Sequence, residues 1–467
     1  MAISPTRDEP EDGEDHEEFP RGAADGGTET SDGEGRSARG ETPGEFREES
    51  TEYPTDEHWV RGYARDNAVH ALVVLAFLLY PIVYVGALNS PLSAEAAAFL
   101  PGLTFMITVM YLGLFAMSFD FISGYTGYLS FGHAAFLGTG AYFVVLATNG
   151  LIPGVPADTP FMITMLLGAT LALLVALAIG AVSFRLTGVY FAMITLGFAQ
   201  VLYELIRNWG YVGPNPREGA NVDGPGLEIG VPYVDTLSLA VGRLTGDSFE
   251  NVLGTGFDVG ATMTSYYALG IVVVICYFAM QRIIHSPFGR VMIAIRENEE
   301  RARAVGYNVF WYKMGAFGMS AFFAGIAGAI FAAYARSVSP ENTYFFLVTA
   351  DALIVTIIGG IGTLAGPLFG TVFHEWLEDV LSSEDGGLAP YLRETLPEGV
   401  LTTDVAGVTF LEVINAAVDG RAPLYLGIVF VLFVLFVPNG LLGSLRDRIG
   451  GTVAKRAPDV LQRYRRR

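Results

Sequence analysis

Cysteine and lysine are the two residue types that this chain almost lacks. Its one cysteine, Cys276, lies inside an apolar run, which excludes an intrachain disulfide and a cysteine-based metal cluster. The only lysines are Lys313 and Lys455, and the G-x-x-x-x-G-K-[ST] loop that binds nucleotide phosphates is missing. The sequence therefore predicts that this chain binds no cofactor or metal and is not an enzyme.

Apolar residues, in contrast, make up 51% of the 467 residues, and the mean hydropathy is +0.42. Long apolar runs recur along the chain and are separated by short polar segments, and a soluble core would not need so many of them. We therefore expect an all-α polytopic membrane protein with about ten transmembrane or re-entrant helices and a disordered acidic N-terminal tail.

The formal net charge of −20 is concentrated near the N-terminus, where residues 1–58 hold 19 of the 48 acidic and 5 of the 28 basic residues. Low hydrophobicity and high charge predict disorder there, and no apolar core of a secretory signal is present. We divide the chain into a disordered acidic cytoplasmic tail (1–58), a transmembrane domain (59–445) and a basic cytoplasmic tail (446–467). The acid excess and the scarcity of lysine fit a cytoplasm of high ionic strength.

Basic residues indicate the orientation through the positive-inside rule. Arg61 and Arg65 precede the first apolar run, and residues 285–308 are the most basic segment of the transmembrane domain. We predict a multi-pass protein of the plasma membrane with both termini cytoplasmic and with external loops at 208–264 and 381–422. The predicted crossings are 69–88, 101–118, 134–149, 161–184, 187–206, 265–284, 310–334, 345–358, 368–380 and 424–437.

Glycine is dense in two apolar stretches, residues 124–140 and 359–370. Irregular backbone at membrane depth needs hydrogen-bond partners from protein or a water-filled cavity, so residues 119–133 are expected to lie near the cytoplasmic half or to re-enter it. Broken helices of this kind place backbone polar groups beside a transported solute, whereas the alternative is close helix packing through small residues. The pathway hypothesis assigns Gly124, Tyr125, Gly127, Ser130, His133, Asp351, Gly359, Gly360 and Gly362.

Ionisable side chains inside apolar runs are costly and are therefore functional candidates. Asp120 and Asp351 are candidates for lining a route, whereas Glu204 has Arg207 nearby for an interfacial ion pair. His133 either titrates in a gate or makes a structural hydrogen bond.

A group of ionisable residues in the run at 368–380 superficially resembles a metal cluster. It consists of His374, Glu375, Glu378 and Asp379. A solvated helix end explains the group, and the second histidine of a zinc protease motif is missing. We expect neither a metal site nor a hydrolase here.

Residues 286–308, SPFGRVMIAIRENEERARAVGYN, predict one short cytoplasmic helix that begins near Pro287 and ends near Gly306. Its charges are densely mixed, and such a helix either packs on its own transmembrane bundle or docks into a partner protein. Its apolar side is formed by Val291, Ile293, Ile295 and Val305.

This segment resembles the Glu-Ala-Ala…Gly loop by which permease subunits of ATP-binding-cassette importers engage their ATPases. Four further blocks resemble the permeases for branched-chain amino acids and, in a sister group, urea: GYTGYLSFGHAAFLGTGAY, GVYFAMITLGFAQ, IIGGIGTLAGPLFG and FVPNGLLG. The five blocks extend over residues 124–443 in the family's order. By this resemblance, the ATPase-coupling residues are Arg296, Glu297, Glu299, Glu300, Ala302 and Gly306.

The resemblance implies a permease subunit that uses ATP hydrolysed by partner subunits. The expected partners are a second homologous permease subunit, two cytoplasmic ATPases, an external solute-binding protein and membrane lipid, but no nucleic acid. Branched-chain amino acids are the expected solutes, and urea or another small amide is the alternative. Two further alternatives are an ion-driven secondary transporter, in which Asp120, Asp351 and His133 would couple to the ion, and a signalling membrane anchor.

Overall fold

The computed structural model describes residues 68–88, 101–222, 227–230, 238–241, 247–248, 260–381, 404–405, 408–409, 422–437 and 440–441. These residues all belong to the unit Asp66–Arg467. The predicted acidic tail at 1–58 and basic tail at 446–467 lie outside the described residues.

Helices account for most of the described residues, as the long apolar runs predict. The helices are α1 (Ala68–Leu88), α2 (Leu103–Thr126), α3 (Ala134–Thr148), α4 (Phe161–Ser183), α5 (Val189–Arg207), α6 (Ala261–Ile284), α7 (Pro287–Glu297), α8 (Glu299–Ala304), α9 (Val309–Ala335), α10 (Pro340–Thr343), α11 (Phe346–Gly359), α12 (Gly366–Leu381) and α13 (Ala422–Phe436). The strands are β1 (Ala220–Asn221), β2 (Leu227–Gly230), β3 (Ser238–Val241), β4 (Ser337–Val338), β5 (Asp404–Val405) and β6 (Val408–Thr409). They form short antiparallel pairs, β1 with β4, β2 with β3 and β5 with β6.

Within the described part of the chain, six segments are long and apolar enough to cross a bilayer. They are Leu103–Thr126, Phe161–Ser183, Val189–Arg207, Ala261–Ile284, Val309–Ala335 and Pro340–Gly359. Shorter apolar helices lie at Phe77–Gly86, Ala134–Thr148 and Leu424–Phe436. The predicted class, an all-α multi-pass membrane protein, is confirmed. The predicted crossing at 368–380 lies in α12. This helix has 16 residues and carries several acidic side chains, and it is neither one of the six long segments nor one of the shorter apolar helices.

Helix α9 is the centre of the fold and packs against α2, α3 and α4. In its most apolar window 83% of the residues are buried, and in that of α2 78% are buried. Glycines bring these helices close: a β-carbon on Gly325 would lie 2.8 Å from Ala169 Cα, and one on Gly328 would collide with Leu137 O. Small residues thus set the approach of α9 to α3 and α4.

Helix α5 lies at the periphery, and only 33% of its apolar window is buried. Val189, Met193, Val201 and Leu205 repeat along one of its faces, and each is more than half exposed. Exposure of this apolar face to water is unfavourable, so the face is suited to contact with lipid or with an apolar partner.

The predicted end of the second crossing at residue 118 is too early, because α2 continues to Thr126. Gly127 ends the helix with φ +76°, and its N–H donates a hydrogen bond to Ser123 O at 3.1 Å. Glycine adopts this left-handed conformation without strain, so it is the natural helix stop here. The break is confined to residues 127–133, between α2 and α3.

Two helices, α7 and α8, replace the single helix predicted for residues 286–308. Asn298 separates them, because its backbone is extended and its Oδ1 accepts a hydrogen bond from Arg301 N at 2.8 Å, which caps α8. The predicted outer boundaries are confirmed: Pro287 is the first residue of α7, and Gly306, with φ +99°, lies in the turn after α8.

Candidate functional site

The two glycine-rich stretches meet at the C-terminal end of α2. In the turn between α11 and α12, Gly362 N–H donates a hydrogen bond to Asp120 Oδ1 at 2.8 Å. A β-carbon on Gly124 would collide with this carboxylate and would lie 2.7 Å from Gly362 N. We call Asp120, Gly124 and Gly362 the glycine junction. Because Asp120 is fully buried, its carboxylate links the two stretches of backbone.

Arg296, in the last turn of α7, contacts the glycine junction. Its Nη1 donates a hydrogen bond to Gly124 O, and a β-carbon on Gly362 would lie 2.8 Å from the same nitrogen. The guanidinium also attracts the Asp120 carboxylate. One arginine of residues 286–308 therefore contacts both glycine-rich stretches, and glycine at position 362 leaves room for it.

A second connection joins α8, α9 and the break after α2. Lys313 Nζ lies 2.6 Å from Glu299 Oε2 and also donates a hydrogen bond to Tyr128 Oη. Tyr128 Oη in turn donates to Glu299 Oε2 at 2.7 Å. We call Tyr128, Glu299 and Lys313 the triad. Lys313 is only 3% exposed, so this buried ammonium group is neutralised inside the protein.

The charge of Glu299 is stabilised by the triad. Burial alone would raise the pKa of this carboxyl, but the hydrogen bonds from Lys313 and Tyr128 outweigh burial and hold the pKa below its usual value. Arg303 Nη2, one turn further along α8, adds an ion pair with Glu299 Oε1 at 3.0 Å. Glu299 is therefore ionised at neutral pH, and it attaches the first residue of α8 to α9 and to the break.

Residues 286–308 also pack against the bundle through an apolar face. Ala302 is 5% exposed and packs with Val291, Ile295 and Val309. The predicted apolar side is therefore only half right. Ile293 and Val305 are exposed instead, Val305 to 74%.

The opposite face of this segment is open. Glu297, Glu300 and Gly306 are exposed there, and so are the large side chains of Tyr307 and Trp311. One face thus serves the fold, and the other is available to a partner. The two alternatives that the sequence left open for residues 286–308 are compatible with each other.

The break after α2 contains two buried polar side chains. His133 Nε2 lies 3.0 Å from Ser118 Oγ, and its ring packs against Phe115, Phe119 and Phe136. This is the geometry of a structural hydrogen bond. The hydroxyl of Ser130 is buried and makes no hydrogen bond within the described residues.

The remaining pathway candidates divide between the junction and a separate place. Tyr125 and Gly127 lie beside the junction, and Gly359 and Gly360 lie in the turn that contains Gly362. Asp351 lies eight residues before Gly359 on α11, about 12 Å along the helix axis, so it is not part of the junction.

Glycine contacts also bring the other two sequence blocks to the same region. A β-carbon on Gly132 would collide with Thr195 O, and one on Gly440 would lie 2.5 Å from Gly360 Cα. All five blocks that carry the family resemblance therefore meet around the break and the junction.

One expectation about ionisable groups is wrong, and a second holds only in part. Arg207 Nε pairs with Glu341 Oε1 at 3.7 Å, whereas Glu204 accepts a hydrogen bond from Asn208. The solvated helix end predicted for the group holds for Glu378 and Asp379, which are exposed near the end of α12, but not for His374, which is 7% exposed. Residues distant in sequence explain both errors, since Glu341 lies on α10 and the ring of His374 is covered within the fold.

The sequence of the chain also matches a known protein family. The family described as "Branched-chain amino acid transport system / permease component" matches residues 102–383, which include the glycine junction, the triad and residues 286–308. The chain belongs to this family. The predicted resemblance is confirmed, and the protein is a multi-pass membrane permease component of a transport system.

Individual relatives agree with the family. The chain is 29% identical to the high-affinity branched-chain amino acid transport system permease protein LivM of Escherichia coli over 308 residues, 63% of this chain and 68% of the relative. It is 28% identical over 307 residues to LivM of Salmonella typhimurium, with the same coverage. A probable LivM of Methanocaldococcus jannaschii is 24% identical over 98 residues, 21% of this chain and 28% of the relative. No solved structure matches the chain significantly.

Sequence reasoning missed Tyr128, Asn298 and Lys313 as functional candidates. Two signals were available, since Lys313 is one of two lysines in the chain and Tyr128 lies inside the GYTGYLSFG block. Neither signal shows that the two side chains meet, because 185 positions separate them.

Proposed function

We propose that this permease component is the membrane-spanning subunit of an ATP-binding-cassette importer that translocates branched-chain amino acids. The family match supports the class, and the names of the LivM relatives support the solute. The observation that carries the coupling mechanism is that residues 286–308 contact both glycine-rich stretches through Arg296. ATP is bound and hydrolysed by two cytoplasmic partner subunits.

The exposed face of α8 and of the following turn receives the ATPase. Glu300 and Gly306 lie on this face, and Trp311 extends it with 65% of its surface exposed. An exposed aromatic ring beside mixed charges is the composition of an interface centre with a polar rim. In this arrangement both termini and α7 and α8 are cytoplasmic, as the positive-inside rule predicts.

Movement of α8 is transmitted by two rigid contacts. The triad connects Glu299 to the break after α2, and Arg296 connects α7 to Gly124 and Gly362. A shift of the segment therefore acts on the break and on the turn between α11 and α12 together, rather than on one helix. Tyr125, Gly127, Ser130, His133, Gly359 and Gly360 line or support the route that these elements open, in company with a second homologous permease subunit and an external solute-binding protein.

Charge reversal at Glu300 tests the docking surface. Glu300→Lys is expected to abolish co-purification with the ATPases and solute-stimulated ATP hydrolysis in proteoliposomes, since a partner surface that accepts an anion would repel the cation. Asp158→Lys is the matched control, because Asp158 is exposed in the loop between α3 and α4, far from α8 in the chain.

Two outcomes would contradict the proposal. In the first, Glu300→Lys assembles and is stimulated like the wild type. In the second, the purified chain without ATPases accumulates solute in response to a proton or sodium gradient, as an ion-driven transporter does.

A further inference from the structure

Three ionisable side chains converge on α12, away from the glycine junction, and a fourth on α11 interacts with them electrostatically. His374, Glu375 and Glu378 each offer one ligand atom, and these atoms lie within 4.8 Å of one another. Asp351, on α11, interacts electrostatically with His374 and Glu378. We call these four residues the α12 cluster. His374 is eight residues into α12, about 12 Å along the helix from Gly366.

The imidazole of His374 is buried without a hydrogen-bond partner for one of its nitrogens. The residue is 7% exposed, and Nδ1 makes no hydrogen bond within the described residues. Nδ1 points into the cluster, where Glu375 Oε1 lies 3.5 Å away, too far for a well-formed hydrogen bond. A buried polar atom without a well-formed hydrogen bond is costly, and unlike the unpaired ring nitrogen of His133, this one has carboxylates beside it, so a cation bound between them would stabilise the site.

The charge balance of the cluster leaves a place for a proton or a cation. Three carboxylates lie around one imidazole, and no lysine or arginine of the described residues forms an ion pair with them. Asp351 and Glu378 are exposed, and carboxylates do not face acyl chains, so this side of the cluster meets water or protein. A cation entering from that side would neutralise the carboxylates.

One pair of ligand atoms already has the spacing of a small divalent cation site, and the whole set lies within 4.8 Å, so a small side-chain adjustment would bring it to bonding distance. Metal–nitrogen and metal–oxygen bonds of about 2.0 to 2.2 Å in a tetrahedral site place two ligand atoms about 3.4 Å apart, close to the 3.5 Å between His374 Nδ1 and Glu375 Oε1. Glu378 is one helical turn from His374 and therefore shares its face. An imidazole with carboxylates favours Zn²⁺ and related transition metals over Mg²⁺ or Ca²⁺, which prefer oxygen ligands alone.

We propose that the α12 cluster is a binding site for a Zn²⁺-type divalent cation, with His374 Nδ1, Glu375 and Glu378 as ligands and Asp351 as an outer carboxylate. The site lies between α11 and α12 and is separate from residues 286–308, which we call the coupling segment. This proposal reverses the expectation from the sequence that these residues form no metal site. The sequence alone could not show that His374 is buried.

Titration of the purified chain with Zn²⁺ tests this site. The protein should be untagged, treated with a chelator and held in detergent, and binding is measured by calorimetry and by the absorption spectrum of Co²⁺. One Zn²⁺ per chain is expected. His374→Gln and Glu378→Gln should each weaken Zn²⁺ binding by more than about 10-fold. Loss of an outer-shell partner already weakens metal binding by about 10-fold or more, and loss of a ligand should cost at least as much. Asp379→Asn, which removes a charge from the same helix outside the cluster, should bind like the wild type.

Thermal unfolding provides an independent readout. Zn²⁺ at about 100 times its dissociation constant stabilises the chain to which it binds, so the melting temperature of the wild type should rise and that of Glu378→Gln should not. Glu378 is exposed, so its replacement should leave the metal-free melting temperature unchanged. Absence of saturable binding, or equal affinity in His374→Gln and Asp379→Asn, would overturn the proposal.

Discussion

The triad and the α12 cluster are two groups of ionisable side chains with opposite charge balance. In the triad, the carboxylate of Glu299 meets the ammonium group of Lys313 at 2.6 Å, and Tyr128 contacts both. In the α12 cluster, the carboxylates of Glu375 and Glu378 gather with His374, Asp351 adds an electrostatic interaction from α11, and among the described residues no arginine or lysine is paired with these carboxylates.

This difference in charge balance separates groups that connect helices within the protein from groups that bind a ligand. Charges that neutralise one another within the chain fix helices in place, because each would be costly if the other were removed. Charges of one sign that gather without an internal partner are stable only with a proton or a ligand. We therefore assign the triad to coupling within the protein and the α12 cluster to an external cation.

The largest effect is expected from Lys313→Met, which removes the buried cation of the half-buried Glu299 and leaves only the exposed Arg303 beside it. We expect a loss of about 2 to 3 kcal/mol in the free energy of unfolding, less than for a fully buried pair because the Glu299 side chain is 24% exposed. The measurement is thermal or denaturant unfolding in detergent.

The double variant with Glu299→Gln is the control for this prediction. Removing both charges should cost less than the sum of the single changes, because neither charge is then left alone. Strict additivity would show that the two groups do not form a coupled pair, and the contrast with the α12 cluster would fail.

A smaller effect is expected at the glycine junction. Gly124→Ala should lower stability by about 1 to 3 kcal/mol and reduce transport, because the new methyl group displaces Asp120 and the turn at Gly362. Gly197→Ala, on α5, is the matched control, since a β-carbon there meets nothing within 4 Å. Equal behaviour of the two variants would show that the junction is not tightly packed.

The smallest effect is expected from acid. The folded-state pKa of Glu299 is lowered from 4.5, so its contribution to stability is fully present above about pH 4.5 and is lost as the pH falls through the lower folded pKa. The protonated carboxyl can still hydrogen-bond, which limits the loss. Melting temperatures of the wild type should therefore fall more steeply below pH 4.5 than those of Glu299→Gln. Parallel curves would contradict the assignment.

Much of the fold was predictable because membrane helices are coded locally. Pro287 and Gly306 marked the ends of the coupling segment, and the breaks at glycine-rich stretches were visible in the composition. The errors arose where one residue controls the backbone. Gly127 ends α2 later than expected, and Asn298 divides the coupling segment, because a left-handed glycine and a side-chain cap depend on local hydrogen bonds that the apolar pattern does not reveal.

The sequence by itself determined the class of the protein. Apolar runs of bilayer length and five ordered blocks sufficed for a membrane permease component, since each signal depends on neighbouring residues. Tertiary structure decided which charges are paired. Asp120 meets Gly362 across 242 positions, and Lys313 meets Tyr128 across 185. The burial of His374 likewise depends on how the helices pack, because desolvation and pairing are properties of packed helices rather than of the order of residues along the chain.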